Sequence, residues 1–128
     1  MGEESLGTLI LIAEESADTR MVLQQALEMY GYRVVEATNG LEAIRVARRE
    51  CPRLILIDLY IPALDGFVTT SLLRKHPETR DVPIIAVSAY DSTNERADAE
   101  DAGVTSYLTE PVDLESLRGL ICRLLGND

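Results

Sequence analysis

Five side chains with oxygen donors stand where short apolar runs end: Glu14 and Glu15 after the run at 9–12, Asp58 after 54–57, Ser88 after 84–87, and Glu110 after 106–109. Clustered carboxylates repel by roughly 4 kcal/mol per pair at 4 Å with an effective dielectric near 20. Such a group takes up protons, spreads into water, or binds a cation. A hard divalent ion such as Mg²⁺, held by one or two carboxylates and water, is the usual solution. The plainer alternative is a solvated acidic loop edge. Phosphate has no ready cradle here, because there is no GxxxxGK[ST] loop and the stretch Ala13-Glu14-Glu15-Ser16 is neither glycine- nor hydroxyl-rich. A flavin mononucleotide site fails on the same ground. His76, the single histidine, precedes Pro77 and gives histidine chemistry almost no material, while Cys51 and Cys122 lack metal-ligand spacing and read as reduced thiols.

The elements that must position these groups follow from periodicity. Apolar runs alternate with helix-period segments five times, without repeats or low-complexity linkers. The runs at 9–12, 54–57 and 84–87 are apolar throughout, as strands buried on both faces are. The runs at 33–37 and 106–109 are partly polar. Helices are expected over about 17–30, stopped by Gly31, and over about 41–50, ending before Pro52. Others are expected over about 67–75 and 93–101, the second polar and stopped by Gly103. The last begins near Asp113 and carries Leu114, Leu117, Leu120, Ile121, Leu124 and Leu125. This alternation predicts an α/β fold: a single doubly wound five-stranded parallel sheet, order 2-1-3-4-5, flavodoxin-like (βα)5. The two less apolar strands then lie at the edges. Ligands in such sheets bind beyond the carboxyl ends of the strands, which draws the four carboxylates and Ser88 toward one crevice.

Twelve basic residues against 22 acidic ones give a net charge of −10, which argues against binding a nucleic-acid backbone or an anionic membrane. Eleven of the twelve bases are arginine, and Lys75 is the one lysine. With 46% apolar and 27% charged residues, the 128-residue chain suits one domain that needs no disulfide or structural metal. No apolar run approaches a membrane span, and the acidic start at residues 1–4 does not read as a signal peptide, so a cytoplasmic location is expected.

Taken together, several motifs in order resemble the receiver domain of two-component response regulators, chemotaxis-regulator-like, over about residues 8–125, with no separate output domain. They are Glu14-Glu15, Asp58 closing Leu-Ile-Leu-Ile-Asp, Ile61-Pro62-Ala63-Leu64-Asp65-Gly66, Ala86-Val87-Ser88-Ala89, Ala102-Gly103 with Tyr107, and Glu110-Pro111. The resemblance implies a signalling module rather than an enzyme. Asp58 would accept a phosphoryl group from a histidine kinase or phosphotransfer protein. Glu14, Glu15, Asp58 and the backbone carbonyl of Tyr60 would hold Mg²⁺. Ser88 and Tyr107 would be the switch pair, rearranging the face of helix 4, strand 5 and helix 5 toward a downstream protein partner. Pro111 matches a position usually preceded by a cis peptide. Tyr60 and Tyr90, two residues beyond Asp58 and Ser88, would control access to the site. The leucines of the last helix either finish the core or support a homodimer.

Two departures stand out. The acidic pair is Glu-Glu where the family usually has Asp-Asp or Glu-Asp, which sets the carboxylates a methylene further from the backbone. Glu110 also occupies the position where the family places a lysine that pairs with the aspartate and the phosphoryl group. Reversing that sign at 4 Å swings ~8 kcal/mol at an effective dielectric near 20, before screening. Lys75, expected at the far end of its helix, cannot replace it; an arginine or the metal would have to. The reading is therefore an atypical receiver with impaired phosphorylation switching. The alternative is a phosphorylation-independent receiver-fold docking or dimerisation module. A metal-dependent hydrolase would use the same acids but lacks a base, the lysine and a lid.

Overall fold

Side chains along the central strands alternate between two apolar layers, so each layer takes every second residue. The computed structural model describes residues 7–90 and 92–126; the acidic start at residues 1–4 lies outside the described residues. Strands β1 (Leu9–Ala13), β2 (Arg33–Ala37), β3 (Leu54–Asp58), β4 (Ile84–Ser88) and β5 (Ser106–Thr109) form one parallel sheet. Its order is β2-β1-β3-β4-β5, as the hydrophobic pattern predicts. Helices α1 (Ala17–Met29), α2 (Gly40–Glu50), α3 (Gly66–Leu73), α4 (Thr93–Ala102) and α5 (Leu114–Leu125) connect and follow the strands.

Leu11, Ile55, Ile57, Ile84 and Ala86 face one layer, packed with Ala43, Val46 and Ala47 of α2, Leu73 of α3 and Ala99 of α4. Ile10, Ile12, Leu54, Leu56 and Ile85 face the other, against Leu23 and Leu27 of α1 and Leu117 and Ile121 of α5. Leu120, Leu124 and Leu125 are partly buried against this second layer, which accounts for the apolar side of α5 within one copy of the chain.

Element ends differ from the sequence pattern at identifiable places. Helix α3 stops at Leu73, not 75, because the Thr79 hydroxyl donates to the Leu73 carbonyl at 2.6 Å and folds the chain back. Lys75 is consequently exposed beyond the helix end, while the start of α3 abuts Asp58. Helix α2 starts one residue early, at Gly40, where Asn39 accepts from the Glu42 N–H at 2.8 Å. A Cβ at Gly40 would lie 2.1 Å from the Leu64 carbonyl oxygen, so only glycine permits this approach of the 61–66 loop.

Helix α4 is an exception among the five. Its sequence, TNERADAEDA, carries no large apolar side chain, and Ala99 is its one buried residue. Polar attachments must therefore fix it. At its C-terminal end, the Arg74 guanidinium donates to the Gly103 carbonyl through Nε at 3.0 Å and Nη2 at 2.8 Å. The same group donates to the Val82 carbonyl at 2.6 Å and the Arg80 carbonyl at 3.1 Å, clasping the α3–β4 connection to the α4–β5 turn.

Candidate functional site

Parallel register brings the expected residues to one edge. Ala13 pairs with Ile57, Asp58 with Val87, and Ser88 with Thr109, so Glu14, Asp58, Ser88 and Glu110 all emerge at the carboxyl ends of neighbouring strands. The Glu110 N–H donates to the Ser88 carbonyl at 2.7 Å, carrying the ladder one step past β5. The Glu110–Pro111 peptide is cis.

Asp58 is half-buried, and its Oδ1 accepts from the Tyr60 N–H at 2.9 Å. The following loop is pressed against it: a Cβ at Gly66 would stand 2.6 Å from Leu59 Cα and 3.0 Å from the Asp58 carbonyl oxygen. A cleft of about 690 Å³ opens beside Asp58, lined also by Tyr60, Tyr90, Ser92, Glu95 and Glu110. The Tyr60 and Tyr90 rings meet edge to face at 5.4 Å, and both side chains are largely exposed at the cleft mouth. A second, mostly apolar groove of about 610 Å³ runs from Glu110 and Pro111 to Val22 and Leu23 of α1.

Anions dominate the electrostatics of this corner, with the Arg20 charge a lesser opposing influence on Glu14. Glu14, only 7% exposed, has its carboxyl pKa pushed up to about 7, first by burial and then by the charges of Asp58 and Glu110. The Ser16 N–H, donating to Glu14 Oε2 at 2.9 Å, offsets part of this. Asp58 is raised by burial and by the Glu15 charge, while a hydrogen bond with Glu14 works in the opposite direction. Glu110 is raised by burial and then by the Asp58 charge. Among the described residues, no basic side chain is among the charges that set Asp58 or Glu110.

Two arginines come near without neutralising that pair. Arg20 Nη1 donates to the carbonyl oxygens of Glu14 at 2.9 Å and Glu15 at 3.0 Å, while its Nε bonds Glu36 at 2.9 Å. Arg20 thus bonds the backbone of the acidic loop and Glu36 of β2, and its charge lowers the Glu14 carboxyl. Arg96 covers the Tyr107 ring, 4.4 Å from its centroid, and its Nη2 lies 3.4 Å from Thr109 Oγ1.

The oxygen-rich donor set suits a hard cation. Among the described residues no group of three acidic, histidine or cysteine side chains converges tightly enough to form a ready metal clasp. Instead Glu14 and Asp58 meet, and Glu15 stands exposed alongside, acting on Asp58 through its charge. Mg²⁺ ordinarily takes one or two carboxylates and fills the remaining positions with water, so this pair fits it.

Ser88 is fully buried, donates to Glu95 Oε1 at 3.3 Å and accepts from the Tyr90 N–H at 3.1 Å. The Tyr107 hydroxyl lies 2.5 Å from Glu95 Oε1 and 2.7 Å from the Tyr90 carbonyl oxygen, two acceptors for its one proton. The Tyr60 hydroxyl donates to Glu95 Oε2. Sequence reasoning missed Glu95. Its available signal was the spacing Ser92-x-x-Glu95, that of a helix N-terminal capping box, and the Ser92 Oγ does accept from the Glu95 N–H at 3.0 Å. Nothing in that spacing says that the carboxylate turns toward the strand ends.

Comparison with known proteins agrees with this architecture. The family model described as the response regulator receiver domain matches residues 10–121. Protein PilH of Pseudomonas aeruginosa is 37% identical over 117 residues, covering 91% of this chain and 97% of that protein. The sensor histidine kinase CheAY of Helicobacter pylori is 30% identical over 117 residues, covering 90% of this chain but 15% of the kinase. The crystal structure of the receiver domain of sensor histidine kinase PA1611 from Pseudomonas aeruginosa superposes with a TM-score of 0.88 at 33% identity, covering 94% of this chain and 98% of that one. That structure has a magnesium ion coordinated in its active site cleft.

Proposed function

Because the chain belongs to the response regulator receiver domain family, we propose that residues 8–125 act as a signalling receiver rather than an enzyme, accepting a phosphoryl group on Asp58. The observation that carries this is the placement of Asp58: it closes the central strand β3, is held by the Tyr60 N–H, and borders an open cleft. The donor is a histidine kinase or phosphotransfer protein. An Asp58 carboxylate oxygen attacks the phosphorus of a phosphohistidine; the P–O bond forms, the P–N bond breaks, and the imidazole leaves with the electron pair and takes a proton from solvent. Glu14, Glu15, Asp58 and the Tyr60 carbonyl would hold Mg²⁺, which when bound offsets the developing phosphoryl charge. Tyr60 and Tyr90, at the cleft mouth, limit the approach of water to the acyl phosphate. Ser88 and Tyr107 form the switch pair, and the face of α4, β5 and α5 is where a downstream protein binds.

Switching by phosphorylation is impaired. Glu110 brings an anion into the cleft that must receive a phosphoryl group of about −1.5 to −2 charge. Neither Arg20 nor Arg96 is among the charges acting on Asp58. The second reading, a phosphorylation-independent docking or dimerisation module, is favoured by Ser88 and Tyr107 already being hydrogen-bonded to Glu95.

Incubation with acetyl phosphate and Mg²⁺ followed by intact-mass measurement separates the two. Slow, substoichiometric gain of one phosphoryl group that Asp58→Ala abolishes is expected. No gain under any condition would leave the docking module, and rapid stoichiometric labelling would remove the claim of impairment.

A further inference from the structure

Helix α4 is attached at its C-terminal end by Arg74, and its N-terminal end is attached by Glu95. Glu95 and Arg96, adjacent in sequence, clasp Tyr107: one takes its hydroxyl, the other covers its ring. The same carboxylate holds the Ser88 hydroxyl and, through its other oxygen, the Tyr60 hydroxyl. With Ala99 as the one buried residue of α4, apolar packing contributes little to where this end of the helix sits.

We propose that Glu95 is a latch: its carboxylate pins α4 to the ends of β4 and β5 through Ser88 and Tyr107, and a phosphoryl group on Asp58 must displace it before Ser88 turns to that group. The second half rests on the receiver reading above; the first half does not. The argument is one of donor supply. Ser88 has a single hydroxyl proton, directed to Glu95; its oxygen also accepts from the Tyr90 N–H and meets the Tyr107 hydroxyl. A phosphoryl oxygen is acceptor only, so it competes with Glu95 for that same proton. Tyr107 shares its one proton between Glu95 and the Tyr90 carbonyl, and its phenol is raised above the usual range by burial and then by Glu95, with the Ser88 hydroxyl working the other way. The chain thus supplies from its own helix the anion that the Ser88 hydroxyl would otherwise find on a phosphorylated Asp58, and Glu95 is a positioning residue acting through Ser88 and Tyr107.

The test compares wild type with Glu95→Ala, Tyr107→Phe and Glu110→Gln. Alanine is the better helix former, so a loosened α4 in Glu95→Ala would not come from lost propensity. The readouts are the ring NMR signals of Tyr107, identified by their loss in Tyr107→Phe, and amide hydrogen exchange along α4. The latch predicts a shifted or broadened Tyr107 signal and at least tenfold faster α4 exchange in Glu95→Ala, with Tyr107→Phe accelerating exchange partway. Glu110→Gln, which removes a cleft carboxylate outside this cluster, leaves both unchanged. Unaltered Tyr107 signals and α4 exchange in Glu95→Ala would overturn the latch. Beryllofluoride with Mg²⁺ then probes the competition: binding at least fivefold tighter in Glu95→Ala than in wild type is expected, and unchanged binding would overturn the competition. If beryllofluoride binds none of the proteins, the phosphoryl-accepting reading and the competition fail together, while exchange and the Tyr107 signal still decide whether α4 is pinned.

Discussion

Glu110 lines the same cleft as Asp58, and the Asp58 charge adds to burial in holding the Glu110 carboxyl above its usual range. The relationship is between two anions where a cation–anion pair would stabilise an incoming phosphoryl group. Replacing Glu110 with lysine reverses the sign at that point. Coulomb attraction at 4 Å and an effective dielectric near 20 allows a swing of ~8 kcal/mol before screening, and each ~1.4 kcal/mol that survives is tenfold in an equilibrium constant. Glu110→Lys is expected to raise the phosphorylated fraction at limiting acetyl phosphate at least tenfold. Intact mass reads the outcome directly, and unchanged labelling would mean that Glu110 does not limit the site.

The acidic corner makes stability depend on pH in a defined direction. Glu14 binds its proton more tightly in the folded chain, with a pKa of about 7 against an ordinary value of 4.5. A raised folded value contributes stability that is complete below about 4.5 and is lost as pH climbs through about 7. Asp58 and Glu110 shift the same way. The Glu14 contribution is on the order of 3 kcal/mol at most, less whatever solvent screens. In chelator, thermal unfolding is therefore expected several degrees higher at pH 5.5 than at pH 8 (on the order of the few degrees per kcal/mol typical of small domains), and Glu14→Gln should flatten the difference.

Magnesium ties to the same protons. Ligand carboxylates must be deprotonated to bind, so Mg²⁺ is expected to raise the unfolding temperature more at pH 8 than at pH 6. Asp58→Asn should remove most of that increment. A pH-independent Mg²⁺ effect, or one that survives Asp58→Asn, would place the ion elsewhere.

Arg74 serves the scaffold rather than the site. Its guanidinium spans the carbonyl oxygens of Gly103, Val82 and Arg80, a forked arrangement that an ammonium group cannot reproduce. Arg74→Lys is expected to cost about 1–3 kcal/mol in urea unfolding, because several part-buried carbonyls lose their donor. It should also accelerate amide exchange around residues 102–105 more than around α1.

Gly66 couples the loop after β3 to the end of that strand. Its ideal Cβ would sit 2.6 Å from Leu59 Cα, a backbone atom that cannot swing aside. Gly66→Ala is expected to destabilise by about 1–3 kcal/mol through overpacking. It should also perturb the Asp58 and Tyr60 amide resonances, where an effect confined to α3 would contradict the coupling.

Much of this protein was legible before any coordinates. Three wholly apolar runs had to be strands buried on both faces, and two partly polar runs had to lie at the edges, because a doubly wound sheet has two faces to cover and only its flanks open to water. Asp58, Ser88 and Glu110 could be placed at one edge because parallel strands carry their last residues to the same side. What remained illegible was the direction of side chains on a polar helix. The sequence of α4 has no apolar stripe to orient it, so nothing in its pattern says which face meets the sheet. Only the folded chain shows that Glu95 turns inward to three hydroxyls, that Arg20 is occupied by the backbone of its own loop, and that Arg96 lies on Tyr107. Hydrophobic periodicity determines layers and strand ends because it reports burial along the chain. Hydrogen-bond partners of long polar side chains are chosen among neighbours distant in sequence, and those exist only once the sheet and helices have assembled.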